Sequence, residues 1–396
     1  MLPRLRPNLD FFPSPVPEKP GLVIRDPFQY SDATLIIPPA LVGCLECFDG
    51  TQSELDLRHY LVQLTGDLQI GELQQHLIDT LSAAGFLDDE SFAQRKDDAE
   101  RRFASAGVRD AAHSGSGYPA TAAELTETLG GYMNGAAPSP GKVIGIAAPH
   151  VSPFGGIDAY RAAYSALSPA DAERTFVVLG TSHYGEPDRI GLTRKPFRTP
   201  FGDTRTDLSI VDRLANEGHM EDYCHAVEHS IEFQVVFLQH LFGPSIRVVP
   251  ILCGSYAHSI YRGGLPEENE NVRRVLGTLG EVAAREGDRL LWVLGIDMAH
   301  MGRRYGDDLD ALADHGDMQE VARRDRARIA SIESGDARGF WDQVQENRDD
   351  LKWCGSAPLY TFLKSVPEAR GKLLHYQQWN IDERSVVSFA GMSFQK

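Results

Sequence analysis

The sequence is poor in several features that define whole classes of protein. It has 5 cysteines in 396 residues, which is too few for a disulfide scaffold. Lysine and arginine number 39 against 56 aspartate and glutamate residues, and the resulting formal charge of -17 repels a phosphate backbone. No segment approaches the ~18 to 20 consecutive apolar residues that a membrane span requires. We therefore expect no nucleic-acid partner and no membrane association.

Short motifs that would assign common chemistries are also missing. The chain has no G-x-G-x-x-G after a predicted strand and no Walker-type G-x-x-x-x-G-K-[ST] loop, so nucleotide binding is not expected. It has no C-x-x-x-C-x-x-C, so any radical chemistry would belong to a partner. The opening residues lack the apolar core of a signal peptide, and we expect a cytoplasmic protein.

The first quarter of the chain differs from the rest. Residues 1–20 are proline-rich and predict an extended arm, and 21–105 predict a small, mostly helical, winged-helix-like module. Residues 20–105 carry 15 acidic and 6 basic side chains, which favours docking of a peptide or another domain over DNA reading. Cys44 and Cys47 form a lone C-x-x-C there, which is incomplete as a zinc site and indicates semi-buried cysteines.

From 106 to 396 the pattern becomes that of an α/β domain. Short apolar runs at 143–147, 175–179, 246–252 and 290–295 alternate with helical segments. Strands that alternate with helices predict a mainly parallel central sheet flanked by helices.

Polar side chains follow three of these runs directly. His150 and His183 each end such a segment, and Asp297 and His300 come just past a third. In open α/β sheets ligands bind beyond the carboxyl ends of the strands, so these residues are expected to converge on one cleft.

Two further segments favour the same cleft. Glu228 and Glu232, four residues apart, are predicted to share one face of a helix, and with His229 they suit acid/base work. Cys354 stands immediately before a predicted helix whose first turn contains Pro358, a position that favours the thiolate. Two histidines and a thiolate would bind zinc, copper or ferrous iron equally well by ligand type, with an open position for water, substrate or dioxygen.

Six segments, in chain order, resemble the motif series of the Memo family. They are APH ending at His150, GTSH ending at His183, EHSIE from Glu228, VPILCG from Val249, DMAH from Asp297 and CGSAP from Cys354. With its N-terminal addition the chain also resembles the bacterial proteins called AmmeMemoRadiSam system protein B, which accompany an AMMECR-type protein and a radical SAM enzyme.

The resemblance implies both a fold and a site. The Memo fold is similar to that of class III extradiol dioxygenases, which are non-haem iron enzymes. The implied metal ligands are His150, His183 and Cys354, and the implied catalytic neighbours are His300, Asp297, Glu228 and His229.

Three functions remain open on these grounds. The first is a redox enzyme with ferrous iron or copper, in which dioxygen or a small aromatic ligand binds and His300, oriented by Asp297, moves a proton. The second is a non-catalytic metal-binding partner or scaffold in a radical SAM system, with a small molecule or peptide in its cleft. The third is a metal-free hydrolase in which His150 or His300 activates Cys354.

Overall fold

The computed structural model describes residues 1–135, 141–217 and 220–396 and divides the chain into two units, Met1–Ser105 and Ala106–Lys396. Within those ranges, no helix has both the length and the apolar character needed to cross a bilayer.

The first unit combines a small antiparallel sheet with three α-helices. Its elements are β1 (Asp10–Pro13), β2 (Leu22–Arg25), β3 (Thr34–Ile37), α1 (Glu54–Thr65), α2 (Gly71–Ala83) and α3 (Glu90–Ser105). The proline-rich start, expected to be an arm without structure of its own, contributes strand β1, which pairs with β2. Cys44 and Cys47 are buried free thiols. The winged-helix arrangement stays a prediction.

Local sequence explains where the first helix begins and ends. The Ser53 hydroxyl accepts a hydrogen bond from the Asp56 amide, while the Asp56 carboxylate accepts one from the Ser53 amide, so α1 starts with a capping box. Gly66 follows α1 with φ of 72°, a left-handed conformation that glycine adopts without a steric cost.

The second unit contains the larger sheet. Its helices are α4 (Ala122–Tyr132), α5 (Ile157–Tyr164), α6 (Leu208–Ala215), α7 (Glu232–Phe242), α8 (Ala257–Arg262), α9 (Glu270–Glu286), α10 (Asp317–Ser334), α11 (Ala337–Gln345) and α12 (Ser356–Ser365). Its strands are β4 (Gly145–Ala148), β5 (Thr175–Thr181), β6 (Ile190–Leu192), β7 (Arg198–Thr199), β8 (Gly202–Asp203), β9 (Arg205–Thr206), β10 (Met220–Glu221), β11 (Arg247–Cys253), β12 (Leu290–Gly295), β13 (His300–Gly302), β14 (Arg370–Asp382) and β15 (Ser385–Gln395).

The central sheet is parallel in its middle and antiparallel towards its edges. The strand order is β10-β6-β11-β5-β12-β4-β15-β13, and the four adjacent strands β11, β5, β12 and β4 run parallel. Strand β6 pairs with β11 antiparallel, and β15 pairs antiparallel with β4, β13 and β14. The expected mainly parallel sheet is therefore a mixed sheet with a parallel centre.

Helices cover both faces of this sheet. In strand β5, Val177 and Leu179 join one apolar core with residues of α9 and α12, whereas Phe176 and Val178 join a second core with residues of α5 and α7. Because successive side chains of a strand point to opposite faces, this alternation places one core on each face. Burial on both faces is the reason that the parallel strands are continuous apolar runs.

Candidate metal centre

Three histidines converge beyond the carboxyl ends of the central strands. Strand β4 ends two residues before His150 and β5 ends two residues before His183, with β12 between them in the sheet. His229, just ahead of α7, completes the group, and one ring nitrogen from each histidine lies within 4.8 Å of those of the other two. The ring centroids are 4.9 to 5.1 Å apart. The cleft predicted from the strand ends therefore exists.

His150 is buried and oriented by main-chain and carboxylate groups. Its Nδ1 lies 3.0 Å from the carbonyl oxygen of Gly295, and its amide donates to Asp297 Oδ1 at 2.9 Å. Burial lowers the pKa of His150, but the Asp297 carboxylate and the Cys354 sulfur outweigh it and raise the pKa to about 9. A donor bond at Nδ1 leaves Nε2 as the atom for a metal, which is the arrangement that most metal-binding histidines show.

Glu228 orients His183 in the same manner. The Nδ1 atom of His183 lies 3.1 Å from Glu228 Oε1, and its amide donates to Oε2 at 2.8 Å. Burial alone would raise the pKa of Glu228, yet the charge and hydrogen bonds of His183 bring it well below the ordinary value. Burial likewise opposes protonation of His183, and the Glu228 carboxylate reverses this and raises its pKa. Glu228 thus holds the His183 ring in its orientation.

The helix expected to begin at Glu228 begins instead at Glu232. The Glu228 carboxylate accepts the amides of His229 at 2.9 Å and Ser230 at 3.0 Å, a local arrangement that competes with helix formation. The two glutamates consequently have different partners and do not share a helix face in an acid/base pair. Burial lowers the pKa of His229 well below the ordinary value, which favours the neutral ring that binds metals.

Cys354 lies against this histidine group. Its Sγ is 3.3 Å from Nε2 of His150 and 3.6 Å from the Asp297 carbonyl oxygen. Burial raises the pKa of the thiol, but His150 and His300 bring it well below the usual value. An ion bound tetrahedrally at about 2.3 Å from sulfur and about 2.1 Å from nitrogen would hold these two donors about 3.6 Å apart. The observed separation fits a shared ion.

The residue after Cys354 has to be a glycine. A Cβ atom on Gly355 would lie 2.6 Å from the Ile296 Cβ atom and 2.7 Å from the carbonyl oxygen of Asp297. The Gly355 amide donates to that oxygen at 3.0 Å. This close approach of two backbones brings the sulfur to the end of strand β12.

Asp297 and His300 both lie beside the centre but are not bonded to each other in the expected way. Asp297 Oδ1 accepts the amides of His150 and Val151, and its Oδ2 is 3.5 Å from Nε2 of His150. The Nδ1 atom of His300 lies 2.9 Å from the Met298 carbonyl oxygen and 3.1 Å from that of Lys352. Main-chain carbonyls, rather than Asp297, therefore orient His300. Their bonds to Nδ1 leave Nε2 as the proton acceptor.

The residues present fit a divalent metal. His150 and His183 belong both to the ligand set expected from the sequence and to the group of three histidines. His229 completes that group, and the Cys354 sulfur lies against His150. Imidazole and thiolate ligands suit zinc, copper and ferrous iron. The structure groups His229 with His150 and His183, whereas the sequence placed His229 among the acid/base neighbours.

A buried ion pair supports one side of the centre, which we call the histidine side: His183, Glu228 and His229 with Arg109 and Glu232. Arg109 and Glu232 are both fully buried and form an ion pair. Arg109 also donates to the Glu228 carbonyl oxygen at 2.7 Å. Sequence reasoning missed Arg109, because its partner lies 123 residues away and no local pattern links the two.

A carboxylate that has no ion-pair partner in the described part of the chain supports the opposite side. We call this the cysteine side: Asp297, His300 and Cys354 with Asp325 and Trp353. Asp325 is fully buried, and its Oδ1 accepts the indole N–H of Trp353 at 2.7 Å. Its Oδ2 accepts two hydroxyl groups, those of Tyr376 at 2.7 Å and Ser388 at 2.6 Å. The Ser388 hydroxyl in turn accepts the Ala299 amide, next to His300. Asp325 therefore bonds directly to Trp353 and, through Ser388, to the segment that contains His300.

A cavity of about 310 Å³ opens beside the centre. His183 and Cys354 lie in its wall together with aromatic residues and the segment that precedes Cys354. A small molecule in this cavity would lie next to His183 and Cys354.

Together the fold and the site define a class: an α/β protein with three histidines suited to bind a metal ion at the carboxyl edge of a central sheet. A family model described as "Memo-like protein" matches residues 109–393. The chain belongs to the Memo family, as its six motifs predicted.

Similar proteins come from bacteria and archaea. A MEMO1 family protein of Aquifex aeolicus is 29% identical, and the match covers 98% of this chain and 100% of the relative. A MEMO1 family protein of Thermococcus kodakarensis is 28% identical over 73% of this chain and 100% of its own length. One of Methanopyrus kandleri is 26% identical over 64% of this chain and 83% of its own.

Proposed function

We propose that the chain is a metal-dependent oxidoreductase in which His150, His183 and Cys354, joined by His229, bind iron or copper. The observation that carries this proposal is the orientation of two rings: a carbonyl holds Nδ1 of His150 and a carboxylate holds Nδ1 of His183. Such partners fix the ring and leave Nε2 for a metal. A bound iron or copper ion would supply an open coordination position and one-electron chemistry for dioxygen.

The reaction class that fits is dioxygenation of a small aromatic diol. Dioxygen is the oxidant: its O–O bond and one ring C–C bond break, and one oxygen atom adds to each of the two separated carbons, so no further reductant is needed. His300 accepts the hydroxyl proton at Nε2 and returns it to the product. Asp297 and Glu228 hold His150 and His183 in position, and the cavity holds the substrate.

The test of this function is dioxygen uptake. Full-length protein, purified without a tag under anaerobic conditions and loaded with ferrous iron, is supplied with a panel of catechols in an oxygen-electrode cell. We expect uptake of one dioxygen per substrate consumed. His300→Gln should retain its iron and lose about 100-fold or more in turnover. The matched control is His315→Gln, since His315 also has its Nδ1 on a carbonyl but is exposed. Unchanged turnover in His300→Gln would contradict the proton-transfer role.

The ligand set needs a separate measurement. With cobalt(II) in place of iron, a cysteine ligand gives a thiolate-to-metal charge-transfer band, whereas histidine ligands alone give none. Cys354→Ser should remove this band, and His229→Gln should keep it. A protein that binds cobalt without the band would make His150, His183 and His229 the ligands. Alkylation of Cys354 at an equal rate with and without metal would favour the hydrolase alternative.

A second function, that of a non-catalytic partner in a radical SAM system, is supported by the unit Met1–Ser105. This unit lies outside the family match at 109–393. Its excess of acidic side chains suits a basic partner surface. Purified full-length chain would be mixed with an AMMECR-type protein and a radical SAM enzyme and separated by size. Co-elution at 0.05 M salt that weakens about tenfold by 0.3 M is expected, and separate elution at low salt would contradict docking.

A further inference from the structure

Aromatic residues line part of the cavity beside the centre. Its wall includes Tyr256, Tyr261, Trp341 and Trp353, of which only Tyr261 is strongly exposed. Pockets with mostly apolar walls and a few placed polar groups are the usual form of small-molecule sites. The walls thus suit a flat, apolar body.

Three charged residues of one segment also line the cavity, and two of them are already paired. The Lys352 ammonium lies 2.6 Å from Asp307, and the Asp349 carboxylate lies 2.8 Å from Arg328. Arg348 lines the same cavity and has no ion-pair partner among the residues that the structure describes. The cavity therefore has one uncompensated positive charge, in a protein whose formal charge is -17.

The segment that carries Arg348 has an unusual backbone. Four of the seven non-glycine residues with positive φ in the described chain lie within it: Asn347, Arg348, Asp349 and Lys352, with φ of 53° to 57°. Such conformations cost free energy and persist where the surroundings determine them, often at functional sites.

Two arginines of helix α10 hold this segment through its aspartates. Arg328 bonds to Asp349, and Arg324 bonds to both carboxylate oxygens of Asp350. These bonds hold the two residues that follow Arg348, although Arg348 itself is exposed. A fixed backbone lowers the entropy that Arg348 would lose on binding.

We infer that this cavity binds a small aromatic compound with one oxyanion group, a carboxylate or a phosphate, and that Arg348 recognises that group. The planar guanidinium matches both oxyanions with two parallel hydrogen bonds, which a neutral amide cannot accept in the same way. The ring of the compound lies against Tyr261, the exposed aromatic residue of the cavity. This inference rests on the proposed function only in assigning the compound as the substrate of the neighbouring metal centre.

The test is calorimetric binding of three probes to the full-length chain: 4-hydroxybenzoate, 4-hydroxyphenyl phosphate and the neutral 4-hydroxybenzamide. Each probe is titrated into metal-free protein and into anaerobic, ferrous-iron-loaded protein at low salt. We expect at least one oxyanion probe to bind about tenfold more tightly than the amide in both forms. The two oxyanion probes show whether a carboxylate or a phosphate is preferred.

Arg348→Gln should abolish this preference for an oxyanion. Arg273→Gln, which removes an exposed arginine from helix α9, is the matched control and should keep the preference. Equal affinity for all three probes in wild type, or an unchanged preference in Arg348→Gln, would overturn the inference. A preference that appears only with iron present would also overturn it, because the anion would then bind the metal.

The two proposals fail in different ways. If the protein showed no dioxygen chemistry, the preference of the metal-free protein would still be expected, since it depends on Arg348 alone. If the preference were missing while the iron-loaded protein consumed dioxygen with catechols, only the assignment to Arg348 would fail.

Discussion

Glu232 on the histidine side and Asp325 on the cysteine side are both buried carboxylates, and they are satisfied in opposite ways. On the histidine side, Glu232 forms an ion pair with Arg109. On the cysteine side, Asp325 accepts only neutral donors among the described residues, with Trp353 and Tyr376 among them. Burial raises the pKa of both, but Arg109 reverses the shift for Glu232 and lowers it, whereas the pKa of Asp325 stays raised.

The two sides of the centre are therefore stabilised by different kinds of interaction. The histidine side is held through a fixed ion pair, and removing one of its charges leaves an unpaired ion in the interior. On the cysteine side, Asp325 is held by neutral hydrogen bonds from Trp353, Tyr376 and Ser388. We therefore expect losses on the histidine side to cost more stability than losses on the cysteine side.

The largest expected effect is that of Arg109→Met. Removing the cation leaves Glu232 buried and uncompensated, at a cost of about 3 to 5 kcal/mol in the free energy of unfolding. Urea unfolding of metal-free protein measures it. The double variant Arg109→Met/Glu232→Leu should recover part of the loss, because a hydrophobic pair leaves no charge unpaired. Additive losses in the double variant would show that the pair is not coupled.

A smaller effect is expected for Trp353→Phe on the cysteine side. The change deprives Asp325 of one neutral donor and should cost about 1 to 2 kcal/mol beyond the loss of ring volume. Trp292→Phe in strand β12 is the control, since it removes a similar volume from the core. The same urea titration compares the two. A cost equal to that of Arg109→Met would contradict the difference between the sides.

The smallest effects are those of pH, and they have opposite signs on the two sides. A lowered pKa means that ionised Glu232 stabilises the fold above its ordinary pKa, near 4, and that this contribution is lost as pH falls. A raised pKa means that Asp325 contributes stability at low pH that is lost as pH rises through its folded value.

Thermal unfolding of metal-free protein between pH 3 and pH 7 measures both contributions. The stability difference between wild type and Glu232→Gln should grow as pH rises. The difference between wild type and Asp325→Asn should shrink over the same range. Curves of the same sign for the two variants would contradict the assignment of Asp325 as an unpaired carboxylate.

The sequence predicted the parts of the fold that have a local signature. The four runs at 143–147, 175–179, 246–252 and 290–295 are the parallel strands β4, β5, β11 and β12 at the middle of the sheet. They were recognisable because strands buried on both faces are uniformly apolar. The position of His150 and His183 followed from the same rule, since parallel strands deliver their carboxyl ends to one edge.

Contacts between distant parts of the chain had no such signature. Asp325 meets Trp353 and Ser388 across 28 and 63 residues, and nothing in the periodicity of helix α10 marks it. The start of α7 was misplaced because the Glu228 carboxylate binds the next two amides, which a helical pattern does not reveal. The sequence likewise placed His229 beside the expected metal ligands, whereas the structure groups it with His150 and His183.

Metal binding at the three histidines is tested by the metal content of the full-length chain. The protein is purified anaerobically without a tag, and its metal is measured by elemental mass spectrometry. Wild type is compared with His150→Ala and with His59→Ala, an exposed histidine of helix α1. We predict near-stoichiometric iron or copper in wild type and His59→Ala and its loss in His150→Ala. Equal metal in all three proteins, or none in wild type after reconstitution, would contradict a metal centre at His150, His183 and His229.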